Sequence, residues 1–302
     1  MKVGFIGLGA MGLPMAKRVL GAGHGLFTMF HRNRAPADEL ASLGAQILPS
    51  AAEIAQASEV VITIVPADAE LRQIVFGAGG LSEGLTVGKV LIEMTTATPH
   101  AVQEVERALA PKGVRVLDAP VSGGTAAAAA GTLTIMAGGD PALLQQMRPL
   151  LETMGKTIFH VGAVGQGKVV KMANQALAAI HLLAIGEVFA LGVKSGADPK
   201  TLYEVIKASS GYSKMMDLRL PGFLLEGSFQ PGFRLDLMKK DLNLALDAAQ
   251  MLGVPLLFGG LATQVFAAAS QAGRGEEDFA AAADFLSRLA AAKLSSKTED
   301  VA

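Results

Sequence analysis

The stretch GQGKVVKMANQAL, residues 165–177, sets two lysines, an asparagine and a glutamine behind a glycine-flanked turn. On a 3.6-residue period, Lys168, Lys171, Asn174 and Gln175 fall within about 120° of one another and share one helical face. An amine that can exchange a proton, beside two amides that can hold a polar ligand, is a general acid/base arrangement. The run that follows, ALAAIHLLAIGEVFALGV, carries one charge. A helix apolar nearly all round belongs inside a protein, so its polar end should face solvent beside the core or an internal cleft.

A second group lies in VGFIGLGAMG, where Gly7, Gly9 and Gly12 follow a strand-like run and open a helical one. In that context Gly7 permits the tight turn and Gly9 lets the backbone approach a pyrophosphate. Gly12 allows close helix–strand packing, and the helix N-terminus supplies amide donors. Ala10 and Met11 complete the loop, and Val65, which ends the run EVVITIV, and the following Pro66 join the cofactor candidates. NAD recognition calls for an acid about 20 residues on, at the end of the second strand. The sequence there is FHRNR: His31, Arg32, Asn33 and Arg34. Arginines there suit a 2′-phosphate, so NADP is the expected cofactor, with NAD the alternative.

A third group is VSGG, residues 121–124. Gly123 and Gly124 expose consecutive amides and Ser122 adds a hydroxyl donor, a combination suited to a carboxylate. Asp118, just before Pro120, reads as fixing that turn. His181 reads as a core histidine, and His24, His31, His100 and His160 show no metal-ligand spacing, so no metal is expected. Asp236, Lys239, Lys240 and Asp241 read on their own as a solvated helix face.

Elements must position these groups. The 302 residues suggest about two domains, each able to bury a core. The 26 basic and 27 acidic residues leave a net charge of −1, which argues against nucleic acid and polybasic membrane-surface binding and toward small-molecule chemistry. The absence of cysteine excludes disulfides and thiol nucleophiles and suits a reducing cytoplasm, the expected location. Residues 3–16 resemble an export signal only superficially. Residues 248–273 lack charge but are broken by glycines and Pro255, so they read as two buried helices joined by a turn. Their apolar character suggests packing between subunits, in a homodimer or homotetramer.

In the first half, KVGFIG, GLFTMF, EVVITIV, KVLIEM, VRVLDA, TLTIMAGG and KTIFHVG read as strands, the early ones alternating with helices. That pattern indicates a parallel sheet covered on both faces. Beyond Gly165 the β signal stops, and helical runs cover 166–195, 199–208, 236–252, 261–272 and 278–292. The expected division is 1–163 and 164–302.

GFIGLGAMGLPMA, DAPVSGGTAAAAAGTLTIMAGG, GQGKVVKMANQ and KKDLNLAL occur in order, and over nearly its whole length the chain resembles the 3-hydroxyisobutyrate dehydrogenase, or β-hydroxyacid dehydrogenase, family. The resemblance implies an α/β Rossmann N-terminal domain, an all-α C-terminal domain built on a long interdomain helix, and an active site in the cleft between them. It implies Lys171 as catalytic lysine and Ser122, Gly123 and Gly124 as the carboxylate loop. It implies Thr96 and Lys240 as cofactor contacts, with Lys240 also on the substrate side. Many members carry two adjacent asparagines; here the pair is Asn174-Gln175, as in tartronate semialdehyde reductase-like members, and which amide contacts substrate stays open.

Hydride transfer between an alcohol and nicotinamide requires a proton carrier. With no cysteine and no evident His-Asp pair, Lys171 is the candidate, its pKa lowered from about 10.4 by burial and by neighbouring Lys168 or Lys240. The expected activity is NADP-dependent oxidation of a small β-hydroxy acid such as 3-hydroxyisobutyrate, a glycerate- or threonate-type acid, or a hydroxy amino acid. Alternatives are an NADPH-dependent reductase of a short semialdehyde such as tartronate semialdehyde and, in another class, a non-catalytic nucleotide sensor. Imine reductases resemble the fold but generally lack a lysine at position 171. Residues 209–219 and 232–236 are expected to select substrate, with Tyr212 and Lys214 making a polar pocket.

Overall fold

In the computed structural model, which describes residues 1–295, the chain forms two compact units, Met1–Lys171 and the part from Met172 onward. The first is built on a nine-stranded sheet: β1 Lys2–Ile6, β2 Gly25–Thr28, β3 Gln46–Ile47, β4 Val60–Thr63, β5 Val90–Glu93, β6 Arg115–Asp118, β7 Val121–Ser122, β8 Leu133–Gly138 and β9 Gly155–Gly162. Strands β3, β2, β1, β4, β5 and β6 lie side by side in that order, all parallel. The direction of strand order reverses between β1 and β4, the switch point where open α/β sheets bind ligands.

Helices α1 Gly12–Gly21, α2 Ala35–Ser42, α3 Ala51–Ala57, α4 Asp68–Phe76, α5 Leu81–Gly84, α6 Pro99–Leu109, α7 Gly124–Ala130 and α8 Pro141–Leu151 belong to this unit. Period-two alternation sends Phe5, Ile62 and Ile92 into a core with Met15 of α1 and Leu144 of α8. Ile6, Val61 and Leu91 enter a second core with Ile54 of α3, Leu71 of α4 and Val102 of α6. Both faces are therefore covered, as the continuous apolar runs of β4 and β5 require. Side-chain caps start the helices where the sequence offers them: Ser50 accepts from Glu53 N, Thr98 from Ala101 N and Asp140 from Ala142 N.

The sheet departs from an all-parallel reading at its far edge. Strand β8 runs antiparallel to β6 and β7, while β9 is parallel to β8. Short α7 leaves too little chain between β7 and β8 for a parallel crossover. The two-residue strands β3 and β7 are too short to carry a periodic signal.

The second unit is helical. Helix α9, Gln166–Lys194, begins in the sheet unit and continues into this one, followed by α10 Pro199–Lys207, α11 Lys214–Arg219, α12 Leu235–Met251, α13 Leu257–Ala269 and α14 Ala281–Leu289. Its core gathers Ala179, Leu182 and Phe189 of α9 with Met238 and Leu242 of α12, Phe266 of α13 and Ala282 of α14. Burial is less complete than the sequence suggests. On α9, Leu177, Val188 and Leu191 are exposed, so the helix is buried along a stripe and not all round. The segment 248–273 does form two helices and a turn, but Met251, Leu252, Leu257, Phe258 and Leu261 are exposed, Met251 at 83%. Among the described residues nothing covers that apolar face. His181 is half-buried and not a core residue.

Candidate active site

Because β1, β2, β4, β5 and β6 are parallel, the loops after their carboxyl ends lie along one edge of the sheet. Those loops hold Gly7–Met11, His31–Arg34, Val65–Pro66 and Thr96, while Ser122–Gly124 spans the end of β7 and the start of α7. The sheet topology alone thus brings together the sequence-derived candidates of the first unit.

The glycine loop has three distinct geometries. A Cβ on Gly7, whose φ is +104°, would stand 2.0 Å from the Ile64 carbonyl oxygen, and one on Gly12 would stand 1.7 Å from the Gly7 carbonyl oxygen. A Cβ on Gly9 would meet nothing within 4 Å. Gly7 and Gly12 therefore serve backbone packing, whereas Gly9 borders open space. Helix α1 has no side-chain cap on its first amides and no acidic residue in its first turn. Uncapped donors beside an open glycine fit a dinucleotide pyrophosphate.

At the end of β2, all four residues from His31 to Arg34 are exposed. Asn33 Oδ1 accepts from Ala35 N at 3.0 Å and helps start α2. Arg34 pairs with Asp38 at 3.0 Å and lies over the Phe30 ring at 5.1 Å. Arg32 makes no ion pair among the described residues, which leaves it as the better-placed arginine for an incoming phosphate.

Ser122, half-buried, ends β7, and Gly123 and Gly124 follow at φ +138° and +70°. Both values lie in the region that favours glycine. A Cβ on Gly123 would meet Ala127 Cβ at 2.6 Å, while one on Gly124 would meet nothing within 4 Å.

The two lysines of α9 differ completely. Lys168 is 0% exposed and ion-paired with Glu93, also 0% exposed. Its ammonium further donates to the carbonyls of Glu93 at 3.0 Å and Thr95 at 2.8 Å. Its ammonium is thus enclosed by protein groups, one carboxylate and two carbonyls. Lys171, one turn later, is buried at 7% exposure. Asp118 also has a different task from the expected turn. Its carboxylate accepts from Gly165 N and Lys168 N, both at 3.0 Å, and so holds the start of α9. Burial pushes its carboxyl upward, against the Lys168 ammonium and those two amides.

In the second unit, Asn174 is exposed and donates to Gln175 Oε1 at 3.3 Å. Gln175 is buried and donates to Asp241 Oδ2 at 2.7 Å, while Lys240 contacts Asp241 Oδ1 at 3.0 Å. Asp241, 1% exposed, therefore joins two candidate residues, and the reading of a solvated helix face is wrong for it. The signal was present: Met238, Asp241, Leu242 and Ala245 fall at i, i+3, i+4 and i+7, the buried stripe of α12. A solvated helix face better describes Asp236 and Lys239, which are partly exposed, pair with each other at 2.9 Å and share Ser270.

The Tyr212 hydroxyl donates to Asp217 Oδ2 at 2.7 Å and ties the 209–213 loop to α11, and Tyr203 of α10 donates to Asp217 Oδ1 at 2.6 Å. Lys214 is exposed. Sequence reasoning missed Glu93 as well. A carboxylate inside the fully buried strand VLIE, between two parallel neighbours, calls for a cation, but the sequence does not say which one.

Together these features define a dinucleotide-binding α/β protein with a helical second unit, and comparison with known proteins makes the class specific. Residues 2–162 match the NAD binding domain of 6-phosphogluconate dehydrogenase, and residues 165–286 match the NAD-binding segment of NADP-dependent 3-hydroxyisobutyrate dehydrogenase. The chain is 38% identical to an NAD-dependent L-serine dehydrogenase of Pseudomonas aeruginosa, over 92% of this chain and 95% of that one. It is 35% identical to 2-hydroxy-3-oxopropionate reductase of Escherichia coli, over 97% and 100%. A solved structure of 3-hydroxyisobutyrate dehydrogenase with L-serine, from Mycobacterium tuberculosis, superposes with a TM-score of 0.86 at 33% identity, covering 94% of this chain and 98% of that one. The chain belongs to the 3-hydroxyisobutyrate dehydrogenase, or β-hydroxyacid dehydrogenase, family of nicotinamide-dependent oxidoreductases.

Proposed function

We propose that the protein is an NADP-dependent dehydrogenase of a small β-hydroxy acid, with Lys171 as the proton carrier. The observation that carries this reading is the burial of Lys171, 7% exposed, one turn before the Asn174–Gln175 pair on the same helix. A surface lysine on a helix is ordinarily solvated, and a nucleotide sensor has no need for an amine held out of water. The exposed Arg32, with no carboxylate at the end of β2, supports NADP.

The residues then take the following parts. Gly7–Gly12, Val65, Pro66 and Thr96 hold the dinucleotide, with Arg32 on its 2′-phosphate and Lys240 beside it. The bound nicotinamide supplies the hydride acceptor in oxidation and the hydride donor in reduction. Ser122, Gly123 and Gly124 bind the substrate carboxylate, and Asn174 binds a polar group near the reacting carbon. In oxidation the neutral amine of Lys171 takes the hydroxyl proton as the carbonyl forms. In reduction its ammonium returns a proton to the carbonyl oxygen and stabilises developing negative charge there.

The match to 2-hydroxy-3-oxopropionate reductase over nearly the whole chain supports a second reading, in which the same residues serve NADPH-dependent reduction of a short semialdehyde. We also place the enzyme in the cytoplasm. The exposed apolar face of α12 and α13 favours a homodimer or homotetramer, which light scattering checks.

Lys171→Ala tests the main reading. It should lower kcat by roughly 10²- to 10⁴-fold while NADPH binding stays near wild type. Lys171→Arg should rescue little, because a guanidinium does not release its proton near neutral pH. Wild-type kcat in the alanine variant, across three- and four-carbon β-hydroxy acids, would remove Lys171 from the chemistry.

A further inference from the structure

The geometry points to the buried Lys168–Glu93 pair as a positioning device that holds the Thr95–Thr96 turn and the first turn of α9 in a single register. The inference rests on the proposed function for the roles of Thr96 and Lys171, and it adds two residues that touch neither substrate nor cofactor.

The network is closed. The Lys168 ammonium contacts Glu93 Oε2 and donates to the backbone carbonyls of Glu93 at 3.0 Å and Thr95 at 2.8 Å. The other carboxylate oxygen, Glu93 Oε1, accepts from Thr95 N at 2.8 Å. Thr95 Oγ1 in turn accepts from Val65 N at 3.0 Å. The Lys168 backbone amide donates to Asp118 at 3.0 Å. The end of β6, the loops after β4 and β5, and the start of α9 thus meet through Glu93, Lys168, Thr95 and Asp118. One side of this assembly leads to Val65 and Thr96 and the other, three residues along α9, to Lys171.

Energetics favour a geometric role over a stabilising one. Taking a carboxylate and an ammonium out of water costs about as much as their attraction returns, so apolar side chains of similar volume would stabilise the fold as well or better. Apolar side chains would not direct hydrogen bonds. An ammonium that takes the backbone carbonyls of Glu93 and Thr95 fixes where those carbonyls point, and with them the Glu93–Met94 and Thr95–Thr96 peptide planes. Loss of that constraint should loosen the turn without unfolding the sheet.

The test compares wild type with the charge-neutral double variant Lys168→Met/Glu93→Gln, which nearly preserves volume. Three readouts are taken: amide exchange of residues 93–98 in the protein without cofactor, NADPH affinity from the cofactor's own fluorescence, and kcat against KM. The positioning role requires exchange in that segment to speed at least about tenfold while β1 and β4 keep their protection. NADPH binding should weaken by roughly three- to tenfold, and kcat should fall at least about tenfold with KM for the acid little changed. Single Lys168→Met should behave differently, because it strands a buried carboxylate. Its Tm should fall below that of the double variant, because the fully buried Glu93 carboxylate loses its cation. If the double variant does not fold, Glu93→Asp, which keeps the charge but shortens the reach, decides by the same exchange and NADPH readouts.

Wild-type exchange and wild-type NADPH affinity in whichever variant folds would overturn the proposal and leave the pair as space-filling. Lys171→Ala is assayed alongside. If it keeps its kcat, the proposed chemistry fails, yet exchange and NADPH binding still judge the pair on their own.

Discussion

The side-chain amide of Gln175 donates to the buried carboxylate of Asp241 at 2.7 Å, whereas its neighbour Asn174 is exposed. The two amides are therefore assigned different work: Gln175 holds its own unit together and Asn174 is available to a ligand. Asn174→Ala should leave Tm near wild type and raise KM for the hydroxy acid. Gln175→Ala should cost about 1–3 kcal/mol of stability, because it removes a hydrogen bond from a buried charge. Thermal melts and steady-state kinetics on both variants separate the roles, and equal loss of stability in the two would refute the division.

The glycine loop yields a matched pair of substitutions with opposite signatures. Gly12→Ala places a Cβ 1.7 Å from the Gly7 carbonyl oxygen, so it should destabilise the sheet unit by about 1–3 kcal/mol or more. Gly9→Ala meets nothing within 4 Å, so Tm should hold while NADPH affinity drops at least about tenfold. A Gly9→Ala protein that binds NADPH normally would mean that the cofactor does not approach this backbone.

Cofactor preference should reside in Arg32 more than in Arg34, which is occupied by Asp38 and Phe30. Arg32→Asp should weaken NADP relative to NAD by roughly 1–3 kcal/mol, read as the ratio of kcat/KM values for the two cofactors. Arg34→Ala should shift that ratio less. A wild-type enzyme that prefers NAD would end the NADP assignment.

The Asp217 latch carries a pH prediction. Hydrogen bonds from the Tyr203 and Tyr212 hydroxyls, with the Lys207 ammonium, hold its carboxyl below the ordinary value of 3.8. A carboxyl depressed in the folded state contributes stability above its unfolded pKa, and that contribution is lost as pH falls through the folded value. The protection of residues 209–219 against amide exchange, relative to the intrinsic rate at each pH, should therefore fall on acidification below about pH 4. Asp217→Asn should exchange fast already at neutral pH and show no such limb.

The alternation of strands and helices, and the three glycines after β1, were legible because each signal is local: a period of two, a period of 3.6, or a spacing inside one turn. The two lysines of GQGKVVK were not separable, since they share a residue type and a helix face. Their fates are decided by Glu93, 75 residues away from Lys168. The antiparallel β8 was hidden for a similar reason, because pairing direction depends on how much chain α7 leaves for the return. Asp241 could have been found on the buried stripe of α12, and its charge led the reading astray. The apolar face at 248–273 was visible in composition, but periodicity tells that a face needs cover and is silent on what covers it.

The shared carboxylate of Tyr203 and Tyr212 has an optical consequence. These are the chain's only two tyrosines, and it contains no tryptophan. Almost all intrinsic ultraviolet emission therefore originates at one spot in the helical unit, beside a carboxylate that quenches it. The sheet unit, with only phenylalanine, is nearly dark. Melting followed by emission reports the helical unit alone, while circular dichroism sums both units. A gap between the two curves would be the signature of units that come apart in sequence, and it can be seen without attaching any label.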